Sequence, residues 1–286
     1  MTRKKIGLAL GGGIARGLAH IGVIKTLEEA GIEISFISGT SMGALVGGWY
    51  AATKDIKALE DIFLNSEENG ISEITKIFTK WDKDSLDMKD SLITKIFKEK
   101  FKNIKIEDCK IPFEAIATDV KNGDEVIIKK GSLVEAVKSS IAIPIILNPA
   151  LFDNRLLMDG TFCNPVPADV AKNMGSEIVI AVDVSSKWID VSERQFGWRA
   201  IPFLVLNVFS AMEYQLARTR LKSADIVLNP LVLNFGWFEF NRVSEIIRAG
   251  VKETKAKLKE IFSRTGYPEP AKTPFEKFLD FILSQE

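Results

Sequence analysis

At 286 residues, with 46% hydrophobic and 27% charged side chains, the chain can bury a full core without disulfide staples. Lys plus Arg and Asp plus Glu number 38 each, which excludes a global field that would draw nucleic acid. Two cysteines, Cys109 and Cys163, exclude a disulfide framework, and the single His20 argues against a His/Cys metal centre.

The opening residues 1–5 are basic, but the apolar run Ile6–Leu10 is too short, and too soon followed by glycines, for a signal peptide. No run reaches the roughly 18 apolar residues of a membrane span. A soluble, cytoplasmic protein is expected, with peripheral membrane contact left open.

Ile6–Leu10 predicts a buried first strand running into Gly11-Gly12-Gly13-Ile14-Ala15-Arg16-Gly17. Leu18, His20, Ile21, Val23, Ile24 and Leu27 then recur at helical spacing until Gly31. Strand, glycine loop and helix present bare amides to an anion. One reading is a dinucleotide pyrophosphate, but the expected ribose carboxylate at the end of the next strand is missing, because Ser38-Gly39-Thr40-Ser41 stands there. A second is an oxyanion hole built from the amides of Gly11, Gly12 and Gly13. A tight turn without a ligand is the third.

The run from Ile34 to Ser38 predicts a second strand, broken at Gly39. Gly39-x-Ser41-x-Gly43 has the spacing of a nucleophile elbow, a serine on a sharp strand-to-helix turn. Glycines two before and two after would let strand and helix pass closely.

Between about residues 51 and 110, Leu59, Ile62, Phe63, Ile71, Ile74, Ile77, Phe78, Leu92, Ile93, Ile96, Phe97 and Phe101 recur at three- and four-residue steps. Amphipathic helices inserted into an α/β core are expected there. Lys95, Lys98, Lys100, Lys102 and Lys105 read first as a solvated helix face and second as a contact for anionic lipid.

From residue 111 the α/β texture returns. Residues 113–119 and 125–128 predict a hairpin, 132–140 a helix, and 156–158 a short strand ending at Asp159-Gly160-Thr161. Residues 177–184 and 225–230 predict core strands, and 200–221 and 242–262 helices. The aromatics Phe235, Trp237, Phe238 and Phe240 are expected to pack inward, with an exposed lipid-facing loop as the alternative. A linker at 268–274 leads to an amphipathic helix over 274–284.

The base for Ser41 can be narrowed by counting. A hydrolase of the common α/β order needs Ser, acid, then His, but His20 precedes Ser41 and sits about two turns into the first helix, where packing is its expected role. Either Ser41 is inert or a carboxylate works directly, and Asp159, which as a carboxylate between a strand end and a glycine also reads as a plain turn former, is the candidate.

The chain resembles the patatin-like lipid acyl hydrolases, in particular their small bacterial members. The resemblance rests on residues 11–23, on Gly39-Thr40-Ser41-Met42-Gly43, on Met158-Asp159-Gly160, and on Asn164-Pro165-Val166-Pro167. Thr118-Asp119, Gly123-Asp124, residues 139–144 and residues 240–250 are also similar. It implies one three-layer α/β/α domain with a mostly parallel sheet, its core at about 5–50 and 111–262, the helical insertion at about 51–110 apart. It further implies a Ser41–Asp159 dyad with the glycine-loop amides as oxyanion hole. The implied activity is fatty-acyl ester hydrolysis of phospholipids or related lipids through an acyl-enzyme, with no metal or cofactor for the chemistry. Two positions depart from the family pattern: Ile14 stands where a fourth glycine is usual, and Thr161 where glycine or alanine is usual. They keep a second expectation in view, a catalytically weak lipid-binding or regulatory module.

Overall fold

The computed structural model describes residues 2–68, 99–101, 103–144, 146–185 and 201–269. Most of the expected insertion and the expected C-terminal helix lie outside these residues, as do Lys95, Lys98 and Lys102 of the lysine cluster.

An eight-stranded sheet forms the centre. In chain order the strands are β1 (Ile6–Leu10), β2 (Ile34–Thr40), β3 (Phe113–Asp119), β4 (Glu125–Ile128), β5 (Ala150–Phe152), β6 (Arg155–Asp159), β7 (Ile178–Val182) and β8 (Ile226–Leu228). Their spatial order is β5-β6-β3-β2-β1-β7-β8, with β4 paired to β3 off that path. The run β3-β2-β1-β7-β8 is parallel, and β4, β5 and β6 are antiparallel additions.

The helices are α1 (Ala19–Glu29), α2 (Met42–Thr53), α3 (Ile56–Glu68), α4 (Leu133–Ser140), α5 (Ala168–Asn173), α6 (Ile201–Arg220) and α7 (Val243–Thr265). The pleat assigns alternate residues of each strand to opposite faces. Leu8 and Leu10 of β1, with Ile178, Ile180 and Val182 of β7, enter the large core beside α1 and α2. Ala9, Val179 and Ala181 face the other way and meet Ala168 and Ala171 of α5 and Ala217 of α6. One face is thus branched and aliphatic, while the other is lined by small residues that let the short α5 lie close. That alternation makes the three layers.

Across the large core, α1 and α7 cross at glycines. A Cβ on Gly250 would stand 2.0 Å from the Ala19 carbonyl oxygen, and one on Gly22 would stand 2.1 Å from that of Ile247. Backbone cannot yield as a flexible side chain does, so Gly250→Ala is expected to cost about 2–3 kcal/mol or more of stability, read as a lowered urea midpoint at unchanged slope.

The elements expected within the described residues are present, with boundary shifts. The first helix begins at Ala19 behind a 3-10 turn over Ile14–Leu18, so His20 is in its first turn and not two turns along. The loop after β1 needs that extra turn to swing the chain round before an α-helix can start. β5 was not expected. Asp153 and Asn154, at φ 47° and 59°, make a tight two-residue turn that pairs it with β6.

Candidate active site

β1 and β2 are parallel neighbours, so the loops that follow them emerge at the same edge of the sheet. At that edge Ser41 joins β2 to α2 with φ 54° and ψ −123°, a region that side chains avoid. The flanking glycines explain how the turn closes. A Cβ on Gly39 would lie 2.5 Å from the Gly43 carbonyl oxygen, and one on Gly43 would lie 2.1 Å from that of Leu10. Strand and helix pass too closely for any side chain at either place.

The turn is held from two sides. The Ser41 amide donates to Ser140 Oγ at 2.9 Å, and Ser140 Oγ donates to the Ile116 carbonyl at 2.5 Å. Thr40 Oγ1 donates to the Asn164 carbonyl at 2.7 Å, Gly12 N to that of Pro165 at 2.9 Å, and Ser38 Oγ to that of Pro167 at 2.8 Å. The Asn164–Pro167 segment therefore acts as a rack of acceptors for both active-edge loops. Asn164 is itself fixed by bonds from its side-chain amide to Glu125 and Asp169.

Asp159 closes β6 and is fully buried. Ser41 Oγ donates to its Oδ2 at 2.6 Å. Its other oxygen, Oδ1, accepts from the Thr161 amide at 2.9 Å and the Thr161 hydroxyl at 2.8 Å. Burial pushes the Asp159 carboxyl up to about 6, against the pull of the bonds from Ser41 and Thr161. It is a stronger base than an exposed carboxylate and still ionised at neutral pH.

The three glycines of the first loop divide. Gly11 N donates to the Val182 carbonyl at 3.1 Å and Gly12 N to that of Pro165, so both amides are already committed to the fold. This corrects the expectation that all three would point at an oxyanion. Gly13 lines the cavity, as does Ile14, and neither amide has a hydrogen-bond partner among the described residues. Gly12 still matters, because a Cβ there would meet Thr161 Cγ2 at 2.1 Å and Ser41 Cβ at 3.4 Å. Ile14 is buried with φ 49°, a backbone state that favours glycine and is costly for a β-branched residue.

His20 is fully buried, with Nε2 donating to the Gly11 carbonyl at 2.7 Å. Burial lowers its ring to about 4, so it is neutral and pinned beneath the loop. It is no base for Ser41. Phe235 and Phe240 are buried, Trp237 and Phe238 pack on the core, and Trp237 reaches the cavity wall, in line with inward packing of that loop.

A cavity of about 550 Å3 opens over the pair, lined by Ser41, Asp159, Gly13 and Ile14 and walled by apolar side chains including Phe162, Val208, Phe209, Met212, Leu216 and Trp237. Its size and character suit a small apolar ligand or one chain of a larger one. Ser140 lies in the similar stretch 139–144, but its role in holding the Ser41 amide emerges only from the fold. Sequence reasoning passed over Glu213, which stands in the cavity wall on α6. Thr161 was noted only as a departure; its hydroxyl is what steadies Asp159.

The family model for patatin-like phospholipases matches residues 8–172. Two patatin-like phospholipase domain-containing proteins of Caenorhabditis elegans are 30% and 32% identical over 291 and 287 residues, covering 92% of this chain in each case. Neuropathy target esterase sws of Drosophila melanogaster is 35% identical over 199 residues, 65% of this chain. The chain spans only 26%, 21% and 13% of the lengths of these three relatives. Among solved structures, VipD from Legionella pneumophila superposes with a TM-score of 0.51 at 13% identity, over 90% of this chain and 67% of that one, a likeness of fold.

Proposed function

The chain belongs to the patatin-like phospholipase family, and from that premise we propose that it is a serine hydrolase of fatty-acyl esters in phospholipids or related lipids. The observation that carries this reading is the 2.6 Å bond from a strained, elbow-mounted Ser41 to the buried Asp159 at the base of an apolar cavity.

In the proposed reaction Asp159 accepts the Ser41 proton as Oγ attacks the acyl carbonyl, forming a tetrahedral oxyanion. The free amides of Gly13 and Ile14, with the positive end of α2 directly behind Ser41, receive that charge. Collapse leaves an acyl-enzyme, which water then hydrolyses. Val208 and Met212, both on the cavity wall and both exposed, offer an apolar approach for a chain arriving from a micelle or membrane surface. No helix among the described residues is long and apolar enough to cross a bilayer.

The test is release of fatty acid from phosphatidylcholine and lysophosphatidylcholine in mixed micelles by wild type and Ser41→Ala. Release by wild type alone supports hydrolysis through Ser41. Micelle binding by both proteins without release by either would leave a lipid-binding module in its place.

Thr161 gives a second check. Its hydroxyl favours the ionised form of Asp159, so removing it leaves burial less opposed and raises that carboxyl further. A base is active above its pKa, so Thr161→Ala should move the acid limb of kcat/KM upward from about pH 6 and lower activity most at pH 6. Thr161→Ser, which keeps the donor, should leave the limb in place.

A further inference from the structure

Glu213 sits at the middle of α6, well away in sequence from every motif of the site, yet it stands in the wall of the same cavity as Ser41 and Asp159. Its Oε1 is shut off from solvent and has no hydrogen-bond partner among the described residues. It lies 3.5 Å from the point where a Cβ would stand on Gly12, and Ser41 Cβ lies 3.4 Å from that same point. The Glu213 carboxyl and the Ser41 side chain thus lie on the same side of the glycine loop, flanking the Thr161 methyl group, and both line the cavity that a reacting ester would enter. A buried carboxyl oxygen without a partner is costly unless something else meets it there. A helix interior offers no structural reason for one.

Resting on the Ser41–Asp159 reading, we infer that Glu213 is a second catalytic carboxyl, which protonates the alkoxide leaving group of the bound ester and later deprotonates the water that frees the acyl chain. In acylation the Ser41 Oγ–acyl bond forms and the acyl–alkoxy bond breaks; the serine proton passes to Asp159, and the departing alkoxide takes the proton of Glu213 and leaves as the alcohol. In deacylation water gives a proton to the Glu213 carboxylate as its oxygen bonds the acyl carbon. Asp159 returns its proton to Ser41 Oγ as that bond breaks, and the acid product leaves. Each carboxyl ends as it began.

The surroundings suit the role. The titratable groups that face Glu213 are Asp159 at the end of β6 and Asp183 after β7, both acidic, and Arg16 in the turn after β1. Burial, then the two acids, push Glu213 up to about 8, with Arg16 opposing, while Arg16 Nε donates to the Phe235 carbonyl at 2.7 Å. Glu213 therefore holds its proton to higher pH than Asp159 does. Environments that pull two carboxyls apart in this way divide the acid and base work between them.

The experiment compares p-nitrophenyl butyrate with ethyl butyrate. The aryl leaving group departs without protonation; the alkyl one does not. Glu213→Gln is expected to lower kcat/KM, which reports acylation, by about a hundredfold or more further for the ethyl ester than for the aryl ester, and to slow release of the acyl chain from the butyryl-enzyme common to both. Equal loss of kcat/KM on both esters, or no loss on either, overturns the role. Wild type supplies a second measurement that needs no variant: the ethyl-to-aryl rate ratio should fall as pH rises through about 8, where Glu213 loses its proton, and a flat ratio contradicts the inference. Ser41→Ala, run alongside, separates the two readings. If it retains turnover, the dyad itself fails, whatever Glu213 does.

Discussion

Replacing Ser41 by alanine is expected to cut ester turnover by on the order of 10⁴-fold or more while leaving the far-UV spectrum unchanged. The loss is large because the hydroxyl is the one group that the elbow, the buried carboxylate and the cavity converge on. Alanine keeps the strained backbone at φ 54° but has nothing to attack with. Ser41→Gly should lose as much activity and yet be the more stable of the two, by about 1 kcal/mol or more, since glycine tolerates that backbone state. Thermal melts of the two variants, set beside their rates, check both halves. Substantial turnover by either would mean that the acyl group is carried elsewhere.

Asp159→Asn is the second large effect, with opposite signs for activity and stability. The amide cannot take the Ser41 proton, so turnover should fall by on the order of 10⁴-fold. Stability should rise at neutral pH. Burial lifts the Asp159 carboxyl from its ordinary value to about 6 in the folded chain. A group whose folded pKa is raised contributes stability that is complete below its unfolded pKa and is lost as pH rises through the folded one. At pH 7.5 wild type therefore bears the cost of a buried carboxylate, up to roughly 3 kcal/mol, and asparagine does not. Urea titrations should show the variant more stable at pH 7.5, with the gap closing as pH falls below 6. A variant less stable than wild type at both pH values would mean that the hydrogen bonds to Asp159 outweigh its desolvation.

Much of this site was legible because it is written in local patterns. Gly39-x-Ser41-x-Gly43 states a close strand–helix crossing, and the 2.5 and 2.1 Å clashes that side chains would cause there are the physical content of the pattern. Alternating aliphatic and small residues in Ile6–Leu10 and Ile178–Val182 carry the two cores of the sheet. Asp159 could be named because a carboxylate ends a strand just before a glycine.

What escaped depends on partners far away in sequence. The amides of Gly11 and Gly12 look free in the chain, but Val182 and Pro165 claim them only once β7 and the Asn164–Pro167 rack are in place. The rack's own purpose, three carbonyl acceptors on two loops, cannot be read from its prolines. β5 was missed because its pairing rests on an Asp153-Asn154 turn without a glycine. Glu213 is the single acidic residue of α6, and only the packing of that helix over the cavity shows that it faces the site.

The measurement that tests the central claim most directly is labelling by a serine-directed fluorophosphonate probe. It reports an activated nucleophile without assuming a lipid head group or chain length. The wild-type protein should be labelled, Ser41→Ala should not, and Asp159→Asn should be labelled far more slowly. A folded wild-type protein that stays unlabelled with and without lipid micelles, or a Ser41→Ala variant labelled at the wild-type rate, would contradict that claim.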